Sequence, residues 1–320
     1  MTLSTSLETL KYGTFLDCKQ LESIIIPSSV NSIENWAFGN CDALKSVKIG
    51  DGVTAIGQYA FNSCYKMTTL TLGNRVETIQ DYAFRGCYAL TSLTIPNSVT
   101  TIGNNAFKEC HALKSVVIGD GVTTIGNYAF HDCYNMENLV IGDHVTSIGI
   151  CGFHECSSLK NVKFPDSVES IGNLAFLSCY GLTHIDFGSG VKSIGYGALD
   201  CCDLLVSIIC RAENPPTAVI DSFWTTFTNN VYEQATLYVP EESVSKYCNA
   251  EVWKNFVNIQ PIVDRIPGDV NEDGEVNIAD VNALINAILS GYNDSKFDVN
   301  EDHEVNIADV NAVIGIILNQ

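Results

Sequence analysis

The chain reads as a parallel β-solenoid followed by a small all-α module, and three observations predict this. Phenylalanine recurs every 23 residues along most of the chain. A cysteine follows each of these positions by three residues. An acidic dodecamer is then written twice, DVNEDGEVNIAD from Asp269 to Asp280 and DVNEDHEVNIAD from Asp298 to Asp309, with eleven of twelve positions identical.

The repeat comes first. Phe15, Phe38, Phe61, Phe84, Phe107, Phe130, Phe153 and Phe176 stand 23 residues apart, and Leu199 takes the ninth place. The cysteines run from Cys18 to Cys202 in the same step, each followed three residues later by Leu or Met, from Leu21 to Leu205. A Leu-x-x-Ile-x-Ile type strand (Leu90, Leu93, Ile95), a Pro or Gly turn, a Val (Val30 to Val191) and an Ile (Ile33 to Ile194) complete each unit. One such coil cannot bury its own apolar face, so coils must stack. Stacking at ~4.8 Å lets strands pair in parallel, and roughly nine coils give a body about 40 Å long.

Units such as YAFRGCYALTSLTIPNSVTTIG resemble the leucine-rich repeats of bacterial BspA-like surface proteins, over about Leu3 to Cys210. The resemblance implies a leucine-rich repeat solenoid with a right-handed, parallel β-sheet path and a concave strand face, frequent use in adhesion, and no catalytic residues. Gly152 in place of Ala and Leu199 in place of Phe are small departures. Leu3, Leu7, Leu10 and Phe15 align with Ile26, Val30, Ile33 and Phe38, so the chain opens in mid-repeat. Upstream sequence carrying an export signal is expected to precede it.

Three domains are expected: the solenoid over 1–210, its cap over 211–263, and the duplicated module over 264–320. ATLYVPEESVSKYCNAEVWKNF supplies the cap with a last strand, a short amphipathic helix and Trp253 to cover the exposed ladder.

The dodecamers carry the chemistry. Oxygen ligands at positions 1, 3, 5, 9 and 12 of a twelve-residue loop, with a backbone carbonyl at 7, form a calcium pattern. In the first loop these are Asp269, Asn271, Asp273, Asn277 and Asp280, with Glu275 at position 7; in the second they are Asp298, Asn300, Asp302, Asn306 and Asp309, with Glu304 at position 7. Carboxylates so clustered repel one another unless a cation sits among them. His303 replaces Gly274 at the sharp turn of the second loop, so the second Ca2+ site is expected to be the weaker. Each loop leads into a helix whose apolar stripe is Val281, Leu284, Ile285, Ile288 and Leu289, or Val310, Val313, Ile314, Ile317 and Leu318.

This duplication resembles a type I dockerin over about Gly268 to Leu318. The resemblance implies calcium-dependent docking onto a cohesin-like module, with loop positions 10 and 11 contributing to partner choice. Here those positions hold Ile278, Ala279, Ile307 and Ala308 rather than Ser or Thr, so an apolar contact, including one with the solenoid's own cap, competes with a cohesin partner.

Charge narrows the partners further. Net charge is −20, and 264–320 carries twelve acids against two bases. No basic run exists to neutralise phosphates, which argues against nucleic acid, and no apolar run reaches the ~18 residues of a transmembrane segment. Ladder cysteines are expected to be free thiols, leaving Cys201, Cys210 and Cys248 as bridge candidates. His131 and His154 share a repeat position and are expected on the surface. Tyr65, Tyr88, Tyr134 and Tyr180 follow their cysteines, and Tyr59, Tyr82 and Tyr128 precede their Phe by two; both rows either recognise a partner or shield the core edge. Exposed strand positions are small and polar, from Ser23, Ser46, Thr69, Ser92 and Ser115 to Asn138, Asn161 and His184, with Lys48 and Lys163 among them.

No nucleophile elbow, zinc-protease helix, phosphate-cradling loop or paired metal cysteines occurs. The expected function is a non-enzymatic extracellular or cell-surface binding protein. Its solenoid recognises a protein or glycan, and its calcium module docks. The alternative is a scaffold component in which the solenoid is a spacer, and a secreted glycan hydrolase is the weakest reading.

Overall fold

In the computed structural model, residues 3–219, 223–262, 268–271, 275–291, 295–300 and 304–318 are described. The chain forms two compact units, Met1–Ile262 and Val263–Gln320.

In the first unit every coil contributes a two-residue strand and a longer one. The short strands, from Thr9–Leu10 to Thr217–Ala218, form one ten-stranded parallel sheet in sequence order. Register is identical from coil to coil, for example Thr124 on Ser147 and Ile125 on Ile148. The longer strands alternate exposed and buried residues, as in Ser92–Ile95, so one face meets solvent and the other meets the core.

These longer strands form three parallel sheets of three, three and five strands. The breaks fall after Thr69–Thr71 and after Asn138–Val140. Both follow the coils in which Met67 and Met136 stand in the leucine ladder. Behind them Leu70 is 9 % exposed and Leu139 only partly buried, whereas Val116 is fully buried. A longer, unbranched thioether fills the same slot differently, and the strand over it loses pairing with the next coil.

Inside, the period becomes physical ladders. The rings from Phe15 to Phe176 stack coil on coil, with centroids 5.2 Å apart for Phe84–Phe107 and 5.3 Å for Phe107–Phe130. Each ladder thiol from Cys41 to Cys202 donates to the carbonyl of the Phe in the preceding coil, as in Cys64 Sγ to Phe38 O at 3.3 Å and Cys179 Sγ to Phe153 O at 3.3 Å. A buried carbonyl left unpaired is costly, so cysteine serves here as a small apolar residue that still carries a donor.

All thirteen cysteines are free, which removes the bridge candidates near the cap. Cys210 is buried and accepts from Tyr247 Oη at 3.2 Å, while Cys248 is exposed. Burial raises the ladder thiols, to about 12 at Cys110 and Cys179. A thiol reagent at pH 8 is therefore expected to label Cys248 first and to leave Cys41 through Cys202 of the ladder unlabelled until unfolding. Mass spectrometry of the native, labelled chain checks this; early labelling of Cys110 would contradict the buried ladder.

The cap is larger than the single strand and helix expected. Thr236–Val239 and then Asn258–Pro261 extend the last sheet by two strands. Phe227, Tyr247, Trp253 and Phe256 fill the end, with ring centroids 5.1–5.7 Å apart in edge-on pairs. Their polar atoms are satisfied: Trp253 Nε1 donates to Pro216 O at 2.8 Å and Tyr247 Oη to Ala212 O at 2.8 Å. The open ladder of the last coil is thus closed by aromatic packing.

The second unit has a core of Val270, Val276, Val281, Leu284, Ala287, Phe297, Val310 and Val313. Its helices, Ile278–Leu289 and Ile307–Leu318, pack on each other through that core. Ile285, Leu289, Ile314 and Leu318 do not join it. Leu289 and Leu318 are 80 % and 79 % exposed, so the inward stripe is narrower than the one the sequence suggests.

Candidate functional site

The acidic loops organise themselves around their last aspartates. Asp280 and Asp309 are both 0 % exposed. Asp280 accepts from Asn271 N at 3.1 Å and from Asn277 N at 2.9 Å. Asp309 accepts from Val299 N at 2.8 Å, Asn300 N at 3.2 Å and Asn306 N at 2.8 Å. Each carboxylate thereby ties the start of its loop to the start of its helix.

Asn277 caps its helix, with Oδ1 accepting from Ala279 N at 2.8 Å, and Asp280 completes the reciprocal capping box. Asn306 Oδ1 accepts from Ala308 N at 2.8 Å in the same way. The oxygens at position 9 are therefore partly committed to the helix, which suits a water-mediated rather than a direct ligand. Asn277 Nδ2 reaches Glu275 Oε2 at 3.5 Å and Asn306 Nδ2 reaches Glu304 Oε2 at 3.4 Å.

The donor set fits a hard cation. Asp280 and Asp309 are buried carboxyl groups whose hydrogen-bond partners among the described residues are backbone amides, and Asp269 is only 9 % exposed. A buried charge needs compensation, and oxygen donors of this kind suit calcium. Asp269, Asn271, Glu275, Asp298, Asn300 and Glu304 would hold it with these aspartates. Asp273, Gly274, Asp302 and His303 lie outside the described residues, and with them the basis for a weaker second site.

Beside the loops, two matched apolar stripes face solvent. Ile278 is 68 % and Ile307 66 % exposed, Ile285 and Ile314 both 37 %, with Leu289 and Leu318 at the far ends. Positions i, i+7 and i+11 share a helix face, so each helix presents an Ile-Ile-Leu row. Ala279 and Ala308 sit half-buried at its edge.

On the solenoid, the tyrosine row proves to be a stack with a member that the tyrosine pattern missed. Tyr65–Tyr88, Tyr88–His111 and His111–Tyr134 stack at centroid distances of 4.9, 4.6 and 4.7 Å. His111 falls on the same 23-residue step and was legible by position, though not by residue type. Tyr180 stands apart, two coils on and exposed. Stacking covers both faces of the inner rings, so only edges and hydroxyls face outward. Sugar rings, which bind aromatic faces, find such a face in this stack at its Tyr65 and Tyr134 ends, and again at the unstacked Tyr180. A second stack joins Trp36, Tyr59 and Tyr82 at 4.5 and 4.7 Å. Their φ of 58–59° is left-handed, which costs ~1–2 kcal/mol per residue. Ring stacking of ~0.5–1.5 kcal/mol per pair offsets part of that cost.

His131 and His154 are half-buried rather than fully on the surface, with side chains 13 % and 18 % exposed. Their rings meet edge-on at 4.6 Å. Burial, then the neighbouring His131, pushes His154 from 6.5 down to about 4. A hydrogen bond with Asp132, then burial, pushes Glu155 from 4.5 up to about 7.

The signs oppose. Between about 4 and 6.5 the unfolded chain binds the extra His154 proton, so this histidine's contribution is lost as pH falls. Between 4.5 and about 7 the folded chain holds the extra Glu155 proton, so that contribution is lost as pH rises. Replacing both histidines by glutamine is expected to flatten the acid-side decline in unfolding free energy below pH ~6. Urea denaturation across pH 4–8 measures it, and an unchanged acid limb would refute the buried-histidine origin.

A stacked parallel solenoid with a small-polar strand face, joined to a duplicated calcium-loop unit, defines a class: a repeat recognition protein with an appended docking module. The description "BspA type Leucine rich repeat region" matches residues 8–137 and 123–249 in six copies, and the chain belongs to that family. Residues 267–318 match the "Dockerin type I domain". Type I dockerins bind calcium and imply a cohesin partner, and neither family is catalytic. Both are typical of extracellular or surface proteins.

Similar solved structures are a leucine rich cell surface protein from Faecalibacterium prausnitzii, a leucine rich repeat protein of T. pallidum and one from Bacteroides ovatus. The first is 24 % identical, covering 82 % of this chain and 88 % of that one with a TM-score of 0.42. The second is 29 % identical over 51 % and 78 %, TM-score 0.48, and the third 21 % identical over 80 % and 88 %, TM-score 0.40. No curated protein matches. Among the described residues no helix is long and apolar enough to cross a membrane.

Proposed function

We propose that the chain is a non-enzymatic extracellular binding protein in which the solenoid recognises a protein or glycan. The C-terminal module docks through two calcium-ordered helices. The observation that carries the docking half is the matched exposure of Ile278, Ile285 and Leu289 with Ile307, Ile314 and Leu318, immediately beyond loops whose closing aspartates are buried. An apolar row held by capping boxes is a preorganised surface, and preorganisation lowers the cost of binding. Recognition by Ile278–Ala279 and Ile307–Ala308 would select an apolar contact where a hydroxylated pair would select a polar one. Asp269 through Asp280 and Asp298 through Asp309 hold the metal in this reading.

The test is a pull-down from surface and secreted proteins, in calcium and in chelator. It uses the intact chain and an Ile278→Asp, Ile307→Asp variant. Capture lost with either the variant or the chelator supports docking by the module. Capture unchanged in both would move recognition onto the solenoid and leave the loops a structural terminus.

A further inference from the structure

The long-strand face of the solenoid differs in charge from the rest of the chain. On its three outward rows over the first eight coils stand Lys45, Lys48, Lys114, Lys160 and Lys163 against Glu22, Glu137 and Asp186, in a chain of net charge −20. Three of the five lysines have no carboxylate within 4 Å among the described residues, although the Asp166 pKa, lowered chiefly by a backbone hydrogen bond, is helped down by the nearby Lys163. Lys45 pairs with Glu22 at 3.2 Å and Lys114 with Glu137 at 3.6 Å, while Asp186 is held by Arg211 at 3.0 Å. Lys48, Lys160 and Lys163 make no ion pair or hydrogen bond through their ammonium groups among the described residues. Elsewhere on the solenoid Lys11, Lys19, Arg85 and Lys192 reach a carboxylate within 2.7–3.1 Å, and Lys108 lies 3.9 Å from Glu109. Lys66 and Arg75, off this face, also make no ion pair among the described residues, so it is the excess of bases over acids on the strand rows, in an acidic protein, that concentrates anions there.

Between the lysines the face repeats itself. Ser23, Ser46 and Thr69, and after the sheet break Ser92 and Ser115, present one hydroxyl per coil, in register within each sheet, and Asn138 and Asn161 continue the row with amides. Val117 and Val140 are its raised apolar groups at mid-face, 38 % and 54 % exposed. The same donor and acceptor every ~4.8 Å cannot read a unique side-chain sequence, but it suits a ligand that is itself a polymer of like units. A protein partner would need deep aromatic or Arg anchor pockets, and this row of hydroxyls has none. Lys48 and Lys163 lie five coils apart, about 24 Å, which sets the length of chain engaged. Past the strands, Asp51 and Asp166 accept backbone amides of the next coil at 2.9 and 2.7 Å, so a carboxylate border confines an anion to the strand rows.

We propose that this face binds a linear anionic polysaccharide, its acidic groups on Lys48, Lys160 and Lys163 and its hydroxyls on the Ser/Thr/Asn row. This deepens the solenoid half of the proposed function and rests on the strand face being its recognition surface.

The test measures binding of the full chain to chondroitin sulfate, to a polyuronate, to neutral dextran and to polyglutamate, in calcium and in chelator. Variants are Lys48→Ser, Lys160→Ser, Lys163→Ser combined, and Lys254→Ser as an off-face control. The expected result is binding to at least one acidic glycan, indifferent to chelator and absent for dextran. In the triple variant the slope of log affinity against log salt should fall by about two, with Lys254→Ser unchanged. Equal binding to dextran, stronger binding to polyglutamate, binding only in calcium, or an unaffected triple variant would each overturn it, as would failure of both acidic glycans. If native partner capture survives in a chain that binds no acidic glycan, the ligand class fails and solenoid recognition stands. If a Ser92→Trp, Ser115→Trp chain captures as well as the parent, solenoid recognition itself fails.

Discussion

Phe107→Ala is expected to lower the unfolding free energy of the solenoid by about 3–5 kcal/mol. The ring is fully buried and stacks on Phe84 and Phe130 at 5.2 and 5.3 Å with planes within 3–6° of parallel. Truncation leaves a cavity bounded on two sides by rings that are themselves locked between further rings, so little collapse can fill it. The Phe107 carbonyl also accepts the Cys133 thiol at 3.4 Å, and any shift of the turn loosens that bond. Because coils touch only their neighbours, the cost depends on place in the array. Phe15 is only partly buried and stacks on one side, so Phe15→Ala should cost less than half as much. Urea denaturation followed by circular dichroism reads both, with the slope checked for loss of cooperativity. Equal costs at the two positions would contradict the nearest-neighbour picture.

Asp280→Ala is expected to weaken calcium binding by at least tenfold and to melt much of the helix Ile278–Leu289 at low calcium. The carboxylate is the junction of three pieces: it takes the amides of Asn271 and Asn277, it closes the capping box, and it is fully buried. Removing it orphans two amides at about 1–3 kcal/mol each and removes a cap worth about 1 kcal/mol. Against the few kcal/mol that a two-helix core supplies, this decides folding. Asp280→Asn keeps the shape and part of the hydrogen bonding, so it should retain more helix than Ala while still losing calcium. Far-ultraviolet dichroism and calcium titration of the full chain measure the two effects. Full helicity together with native affinity in Asp280→Ala would remove this residue from both roles.

Of the fold, the ladders were legible because each repeats one residue type at one step, and a parallel coil translates that step into contact. The acidic loops were legible for the same reason, since the dodecamer recurs almost unchanged. The strand Asn258–Pro261 was not, because Asn-Ile-Gln-Pro has too few apolar residues to show a period, and only the exposed edge of Thr236–Val239 recruits it. His131 and His154 are half-buried where the sequence suggests the surface. Imidazole polarity suggests exposure, but each ring is packed by the same position in the next coil. His111 is invisible to a tyrosine pattern because it holds the row's position with a different ring.

The amino-acid sequence by itself determined the 23-residue solenoid, its Phe and Cys ladders and the two acidic loops, since local spacing dictates which side chains meet when coils stack. The tertiary structure decided what each exposed group offers. It turned the tyrosine row edge-on, committed the position-9 asparagines to helix caps, broke the strand sheet behind Met67 and Met136, and left Ile285 and Leu289 outside the helix pair. Those outcomes depend on which neighbour occupies the next coil or the facing helix, and a one-dimensional pattern does not contain that distance.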